Sequence, residues 1–365
     1  MNIAIFTPNK NPYSETFIQA HKNYLKGKIF YYYGTRNIQL EGTSHLSTPW
    51  ERRFLNFTRR LLKKQQSFVR DTVIINSLNK NKIDVVLAEY GTHADYILPL
   101  IKKAGVPMVV HFHGFDASRM DVTEKHNNYT EVFQYASKVI AVSKKMEQML
   151  LDLGCPQEKL VYNVYGPQPE FIKVKPMFTK KQFVGIGRFT DKKAPYYTIL
   201  AFKKSIENHP DAKLIMAGDG QLLNTCKNLV KHLGIEAQVE FPGVITPERY
   251  RELLSESLGF VQHSITAENG DMEGTPLAVL EASAAGLPVI STYHAGIPDV
   301  IIDRKTGLLC NEHDVDSMAA YMISLLDNHS FAKELGTAGK MNIQDNFSME
   351  RHISALQNVL EACLR

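Results

Sequence analysis

Two glutamates eight positions apart, Glu273 and Glu281, lie in the segment GDMEGTPLAVLEASAA that spans residues 270–285. Gly274-Thr275-Pro276 reads as a helix start, with Thr275 as N-cap and Pro276 as the first helical residue. Glu273 then sits just before a helix and Glu281 in its second turn. The free amides of such an N-terminus, with the helix dipole, suit sugar hydroxyls or phosphate oxygens. The helix is apolar, so Glu281 is expected to be buried and to need partners, which a pair of ribose hydroxyls would supply. The plainer alternative is a capped amphipathic helix with a solvated Glu281.

Three other segments carry candidate chemistry. In VGIGRFTDKK a strand ends at Gly187, which permits close backbone approach, and Arg188 and Lys193 follow. Two cations at the carboxyl edge of a parallel sheet suit a diphosphate; as a bland reading they are surface cations beside a turn. LIMAGDG is a second strand-to-glycine turn, at Gly218. VHFHGFD places His111, His113 and Asp116 after a strand. His-x-His can mark a metal, but no third ligand stands at helical spacing. A substrate contact competes here with a structural histidine.

The elements that position these groups alternate strand and helix, which implies parallel sheets with helices on both faces. Short β-branched runs are expected at 2–7, 28–33, 85–88, 108–112, 139–142 and 160–164. They restart at 183–186, 213–216, 239–241, 259–263 and 289–291. Helices are expected at 94–104, 144–153, 195–207, 222–233, 247–255 and 277–285. The Pro-rich stretch 166–179 reads as the linker. The fold class is therefore α/β, with two doubly wound domains, 1–170 and 171–348. Ligands are expected beyond the strands' carboxyl ends, in a cleft shared by the domains.

The chain has 365 residues, with a net charge of +4. Residues 1–175 hold 24 Lys/Arg against 15 Asp/Glu, a net of +9, which points to an anionic partner on that half. Much of that charge lies in RRFLNFTRRLLKKQQSFVR, Arg52–Arg70. Read as one helix, it sets Phe54, Leu55, Phe57, Leu61, Leu62, Phe68 and Val69 against seven cations. Such a helix suits an anionic membrane interface, the ordinary alternative being a surface helix packed on the sheet. No 18-residue apolar run is present, and no signal peptide is expected. Cys155, Cys226, Cys310 and Cys363 show neither disulfide-framework nor zinc spacing, which fits a reducing compartment.

The sequence resembles glycosyltransferase family 4, retaining enzymes of the GT-B fold. The matching pieces are GRFTDKK, AGDG, FPGVITPE, EGTPLAVLEASAAGLPVIST, GIPDVI and TGLL. SETFI at 14–18, HFHGFD and ENGDMEGTPLAVLEA are similar, more narrowly, to exopolysaccharide-assembly enzymes of the colanic-acid type. The resemblance implies two Rossmann-like domains, the first for acceptor and the second for nucleotide-sugar, with the helix 349–365 packing back on the first. It implies Arg188 and Lys193 on the donor diphosphate and Glu281 on the ribose. Glu273 and the amides of Gly274, Thr275 and Leu277 would contact the donor sugar, with His113 reaching it from the first domain. Backbone near Val244 would hold the base, and Gly187 and Gly218 would line the site.

The expected reaction moves a hexose from a UDP- or GDP-sugar to a saccharide or polyprenyl-diphosphate-linked acceptor, with retention. No cofactor, metal or nucleic acid is expected. The only Asp-x-Asp triplet, Asp314-Val315-Asp316, reads better as the acidic start of the helix 317–326. The expected location is cytoplasmic, at the inner face of the membrane. The resemblance has departures. PNKNPY at 8–13 carries no glycine, Lys193 is followed by Ala194 where Gly is usual, and NVYG stands at 163–166. Competing readings are a nucleotide-sugar epimerase of the same fold and a silent partner in a polysaccharide assembly complex. A dinucleotide dehydrogenase is excluded, because no G-x-G-x-x-G follows the first strand.

Overall fold

Hydrophobic strands separated by amphipathic helices are the ingredients of two parallel sheets, and the computed structural model, which describes residues 1–10 and 15–364, contains two. The first sheet comprises β1 (Asn2–Thr7), β2 (Lys28–Tyr33), β3 (Gln39–Leu40), β4 (Val85–Glu89), β5 (Met108–His111), β6 (Lys138–Ala141) and β7 (Leu160–Tyr162). Its order is β3-β2-β1-β4-β5-β6-β7, parallel except where β3 pairs antiparallel with β2. The second comprises β8 (Gln182–Ile186), β9 (Lys213–Ala217), β10 (Val239–Glu240), β11 (Gly259–Val261), β12 (Val289–Thr292) and β13 (Gly307–Cys310). Its order, β10-β9-β8-β11-β12-β13, is parallel throughout.

The chain divides into two compact units. One holds Met1–Val142, Glu147–Asn163 and the chain from Ile353 on; the other holds Ser143–Met146 and Val164–His352. In the first, β1 and β4 are buried on both faces, with Ile3, Ala4, Ile5, Phe6 and Val85–Ala88 fully enclosed, as central strands of a helix-covered sheet require. The last helix, Met349–Ala362, reaches this unit, where Gln357 accepts from the Lys26 amide at 3.0 Å. In the second unit Phe183, Phe202, Leu214, Leu258, Met318 and Leu325 form the centre of the core.

Reversals of strand order place ligand sites beside β1 and β8, the strands flanked by connections running in opposite directions. The strands and helices read from the sequence agree with those observed to within a few residues; the helix His329–Asn346 was not read, and three further exceptions are instructive. Two strands went unread: β3, only two residues long, and β13, which is the TGLL motif. The helix expected at 317–326 runs Val315–Asp327, with Asp314 capping the Ser317 amide at 2.9 Å and Asp316 in the first turn. The acidic triplet is thus a helix start, as expected.

The third exception is the basic segment. The single helix expected over Arg52–Arg70 is two, Pro49–Leu61 and Ser67–Lys80. Lys63 between them takes φ +48°, a left-handed conformation no helix continues through. The first helix begins where Thr48 and Glu51 form a reciprocal capping box and Pro49 occupies the first turn. It buries no residue. Trp50, Phe54, Phe57 and Leu61 stand exposed at helical spacing, each with more than 60% of its surface open. Phe68 and Val69 leave this stripe and lie, half-buried, on the second helix. No helix among the described residues is long and apolar enough to cross a membrane. The turn at 8–13 and the start of SETFI lie in part outside the described residues.

Candidate functional site

The second unit gathers its chemistry where β8, β9 and β11 end. β8 runs out at Ile186, and the Gly187 amide donates to the Ala217 carbonyl at 3.0 Å. Gly218 takes φ +136°, and a Cβ there would stand 1.9 Å from the Gly187 carbonyl oxygen. The two strand ends cross backbone on backbone, which only glycine permits. This brings the polypeptide past the sheet edge with Arg188 exposed and Lys193 folded over Gly187. A pocket opens here, lined by Gly185, Gly187, Arg188, Lys193, Met216 and Gln262. Among the described residues, the Arg188 guanidinium has no ion-pair partner.

Lys193 ends the single helical turn Asp191–Lys193, and Ala194 after it adopts φ +35°, ψ +53° as it enters the helix Pro195–Ser205. That left-handed conformation explains why glycine suits the position. Ala194→Gly is expected to stabilise the fold by about 1 kcal/mol by relieving the strain. A melting temperature unchanged or lowered in this variant would show that Ala194 carries no strain.

The Lys193 ammonium lies 3.2 Å from Glu273 Oε1, both side chains being less than 15% exposed. Burial pushes the Glu273 carboxyl up, but the ammonium groups of Lys193 and Lys192 outweigh it, and it is held at about 2. Burial likewise lowers Lys193, opposed by Glu273. Glu273 is therefore an anion paired with a cation at the mouth of a sheet-edge pocket. The helix beyond it starts at Leu277. Pro276, not Thr275, takes the cap position with extended backbone, and no side chain caps this end. Thr275 is buried instead, and the Gly274 carbonyl accepts from the Gly296 amide at 2.9 Å. The first amides of the helix have no partner within it.

Glu281 sits one turn further along. Among the described residues, its carboxylate has neither a hydrogen-bond nor an ion-pair partner. Burial raises its pKa to about 8. Tyr250 packs nearby, its hydroxyl donating to the Ala278 carbonyl at 3.3 Å. Val244, beyond β10, is exposed, and the Gly218 amide donates to Gly243 beside it at 2.8 Å. The second unit thus brings together Gly187, Arg188, Lys193, Gly218 and Glu273. Gly274, Leu277 and Glu281 follow on the loop and helix just beyond, and Val244 on the loop after β10.

His113 belongs to the first unit. Its backbone turn is held by Asp116, which accepts from the amides of His113, Gly114 and Gly91 at 2.9–3.0 Å. Its ring packs against Phe17, Tyr90 and His111. The sequence offered no third group beside His-x-His, but the fold supplies two. Strand register sets Glu89 opposite His111, and the helix Thr16–Tyr24 brings His21. Glu89 is fully buried, with Oε2 2.8 Å from His113 Nε2 and Oε1 2.6 Å from His21 Nδ1. His111 Nδ1 is 3.6 Å away. Burial raises the Glu89 pKa, opposed by His113. Ligating atoms of His21, Glu89 and His111 lie within 4.8 Å of one another, and of these only the His21–Glu89 contact is at hydrogen-bond length. No local sequence signal pairs Glu89 with His21, 68 residues apart.

Residues 168–341 match the family model "Glycosyl transferases group 1", and residues 42–162 match "Glycosyltransferase Family 4". The chain is 29% identical over 285 residues to the amylovoran biosynthesis glycosyltransferase AmsK of Erwinia amylovora, covering 76% of this chain and 70% of that one. It is 28% identical over 294 residues to the putative colanic acid biosynthesis glycosyltransferase WcaL of Escherichia coli K12, covering 77% and 71%. Anabaena HepE, solved in complex with UDP, superposes with a TM-score of 0.79 at 15% identity, over 99% of this chain and all of that one. The two-sheet architecture is that of GT-B glycosyltransferases. The chain belongs to the family 4 glycosyltransferases.

Proposed function

We propose that the chain transfers a hexose, with retention and without a metal, from a UDP- or GDP-sugar to a saccharide carried on a polyprenyl diphosphate, as a step in exopolysaccharide assembly. The observation that carries this is the exposed Arg188, without an ion-pair partner among the described residues, beside the largely buried Lys193–Glu273 pair, at the carboxyl edge of a parallel sheet. A leaving diphosphate gathers charge as the anomeric carbon–oxygen bond breaks. Preorganised cations and helix amides placed at that point lower the barrier. These groups supply the stabilisation that a metal provides elsewhere. Glu281, whose carboxylate has no partner among the described residues, suits the two ribose hydroxyls. The names of AmsK and WcaL support the exopolysaccharide assignment, and the UDP in HepE supports a nucleotide donor.

The test is transfer from a panel of nucleotide-sugars to a lipid-diphosphate saccharide, in EDTA, with the product anomer read by proton NMR. A product of the donor's configuration, formed in EDTA, supports the proposal. Donor epimerised without acceptor would favour the epimerase. Inversion would rule out the retaining mechanism.

We infer further that the helix Pro49–Leu61 docks on an anionic membrane, at the inner face of which the enzyme works. Trp50, Phe54, Phe57 and Leu61 are exposed together, and Arg52, Arg53, Arg59 and Arg60 accompany them, with Lys63 and Lys64 just beyond. Each basic residue near an anionic surface contributes about 1 kcal/mol. Exchanging Arg59, Arg60, Lys63 and Lys64 for glutamate is expected to reduce partition into anionic vesicles by at least about a hundredfold. Co-sedimentation measures this, and unchanged binding would remove the membrane reading.

A further inference from the structure

Glu273 lies on the loop between β11 and the helix Leu277–Ala285, and a loop holds a carboxylate in place only if something holds the loop. The Glu273 backbone amide donates to His294 Nε2 at 3.1 Å. His294 follows β12, and its side chain is fully buried. Because Nε2 accepts, Nδ1 must carry the proton, and it lies 2.6 Å from Glu312 Oε1. Glu312 follows β13. Its other oxygen, Oε2, accepts from the Thr266 amide at 2.8 Å. One carboxylate therefore grips the loop twice, directly near its start and through an imidazole near its end.

Other contacts set the same loop. Lys192, buried, donates to Asp271 Oδ1 at 2.9 Å and to the Met272 carbonyl at 3.1 Å. The Ala267 amide donates to the Asp271 carbonyl at 3.0 Å. Gly296 packs so closely that a Cβ would stand 2.1 Å from Thr275 Oγ1. The chain ends of β8, β12 and β13 thus converge on the loop that follows β11. Of these contacts, the Glu312–His294 pair alone reaches the backbone of Glu273 itself.

We propose that Glu312 and His294 are positioning residues for sugar transfer: they fix the Glu273 backbone and thereby aim its carboxylate at Lys193 and the donor sugar. The inference rests on the donor-site reading above. It does not require either residue to touch substrate. Arg188 and Glu281 lie on separate elements, so binding of a bare nucleoside diphosphate is expected to survive loss of the pair.

Two measurements test this. First, the imidazole nitrogens of His294 are read by 15N NMR at pH 8 in the full chain. The Nδ1-protonated tautomer is expected in the wild type, with loss of that preference in Glu312→Ala. A wild-type His294 protonated on Nε2 would overturn the proposal whether or not the protein is a transferase. Second, Glu312→Ala is expected to lower kcat by about 10- to 100-fold through misplacement of Glu273. Its Kd for UDP or GDP should stay within about twofold of wild type. Glu312→Gln, whose single carbonyl oxygen can serve one of the two donors, should recover part of the loss. Unchanged kcat in a folded Glu312→Ala protein would overturn the proposal, as would kcat, nucleotide affinity and melting temperature falling together. A wild-type chain that binds neither nucleotide would instead remove the donor-site reading on which the kinetic arm stands.

Discussion

Lys193→Met is expected to lower kcat/KM for sugar transfer by about a hundred- to a thousandfold, the loss that follows when one preorganised donor is removed from a developing oxyanion. The ammonium is held over Gly187 and paired with Glu273 at 3.2 Å, so it is placed before the reaction and need not reorganise during it. The substitution also leaves Glu273 buried without its nearest cation. With Lys193 present, the carboxyl sits at about 2, so its contribution to stability is full above about pH 4.5 and is lost as pH falls towards 2. Without Lys193 that contribution shrinks, and the variant should unfold at a higher pH on acidification. Steady-state kinetics and acid titration of the fold measure the two effects. Full activity in Lys193→Met would mean that another group meets the leaving phosphate.

Glu281 governs the second large effect. Its pKa is raised to about 8 in the unliganded protein, so at neutral pH it is mostly protonated. The folded state holds this proton more tightly than the unfolded chain. Its contribution to stability therefore falls as pH rises from about 4.5 to about 8. Two ribose hydroxyls donating to the carboxylate favour the charged form and lower its pKa. Nucleotide-sugar affinity is then expected to rise by up to about tenfold per pH unit on approach to pH 8, then level off. Glu281→Gln should abolish that slope. Glu281→Ala should weaken binding at pH 8 by about 10- to 100-fold, the value of hydrogen bonds to a charged group. Calorimetry with a nucleotide-sugar, whose diphosphate diester does not titrate in this range, measures both. A flat pH profile in the wild type would take Glu281 off the ribose.

Local signals in the sequence mark the elements of the second unit well. The helix Leu277–Ala285 is legible to the residue, because an apolar run ends at Gly286, whose φ of +89° stops it. Its start was harder. Thr275 has the chemistry of a cap, but it is buried in the packing beneath Gly296, and Pro276 takes its place. Hydrophobic periodicity over 52–70 is blind to a single left-handed residue, so Lys63 splits what reads as one helix. The groups that sequence reasoning missed are those that meet only in three dimensions. Glu89 finds His21 and His113 through strand register, and Glu312 finds His294 across two parallel strands. Neither pair has a spacing that a motif could carry. The first unit is read least well because its chemistry is of this kind.

The most direct test of the proposed donor site is a thermal-shift panel of UDP, GDP, ADP and their common sugar conjugates, with and without EDTA, on the wild type and on Glu281→Ala. Stabilisation by one nucleotide class, indifferent to EDTA and lost in the variant, is the result expected of a metal-independent transferase. A folded wild-type protein stabilised by none of them would contradict it and leave a silent assembly partner as the better reading.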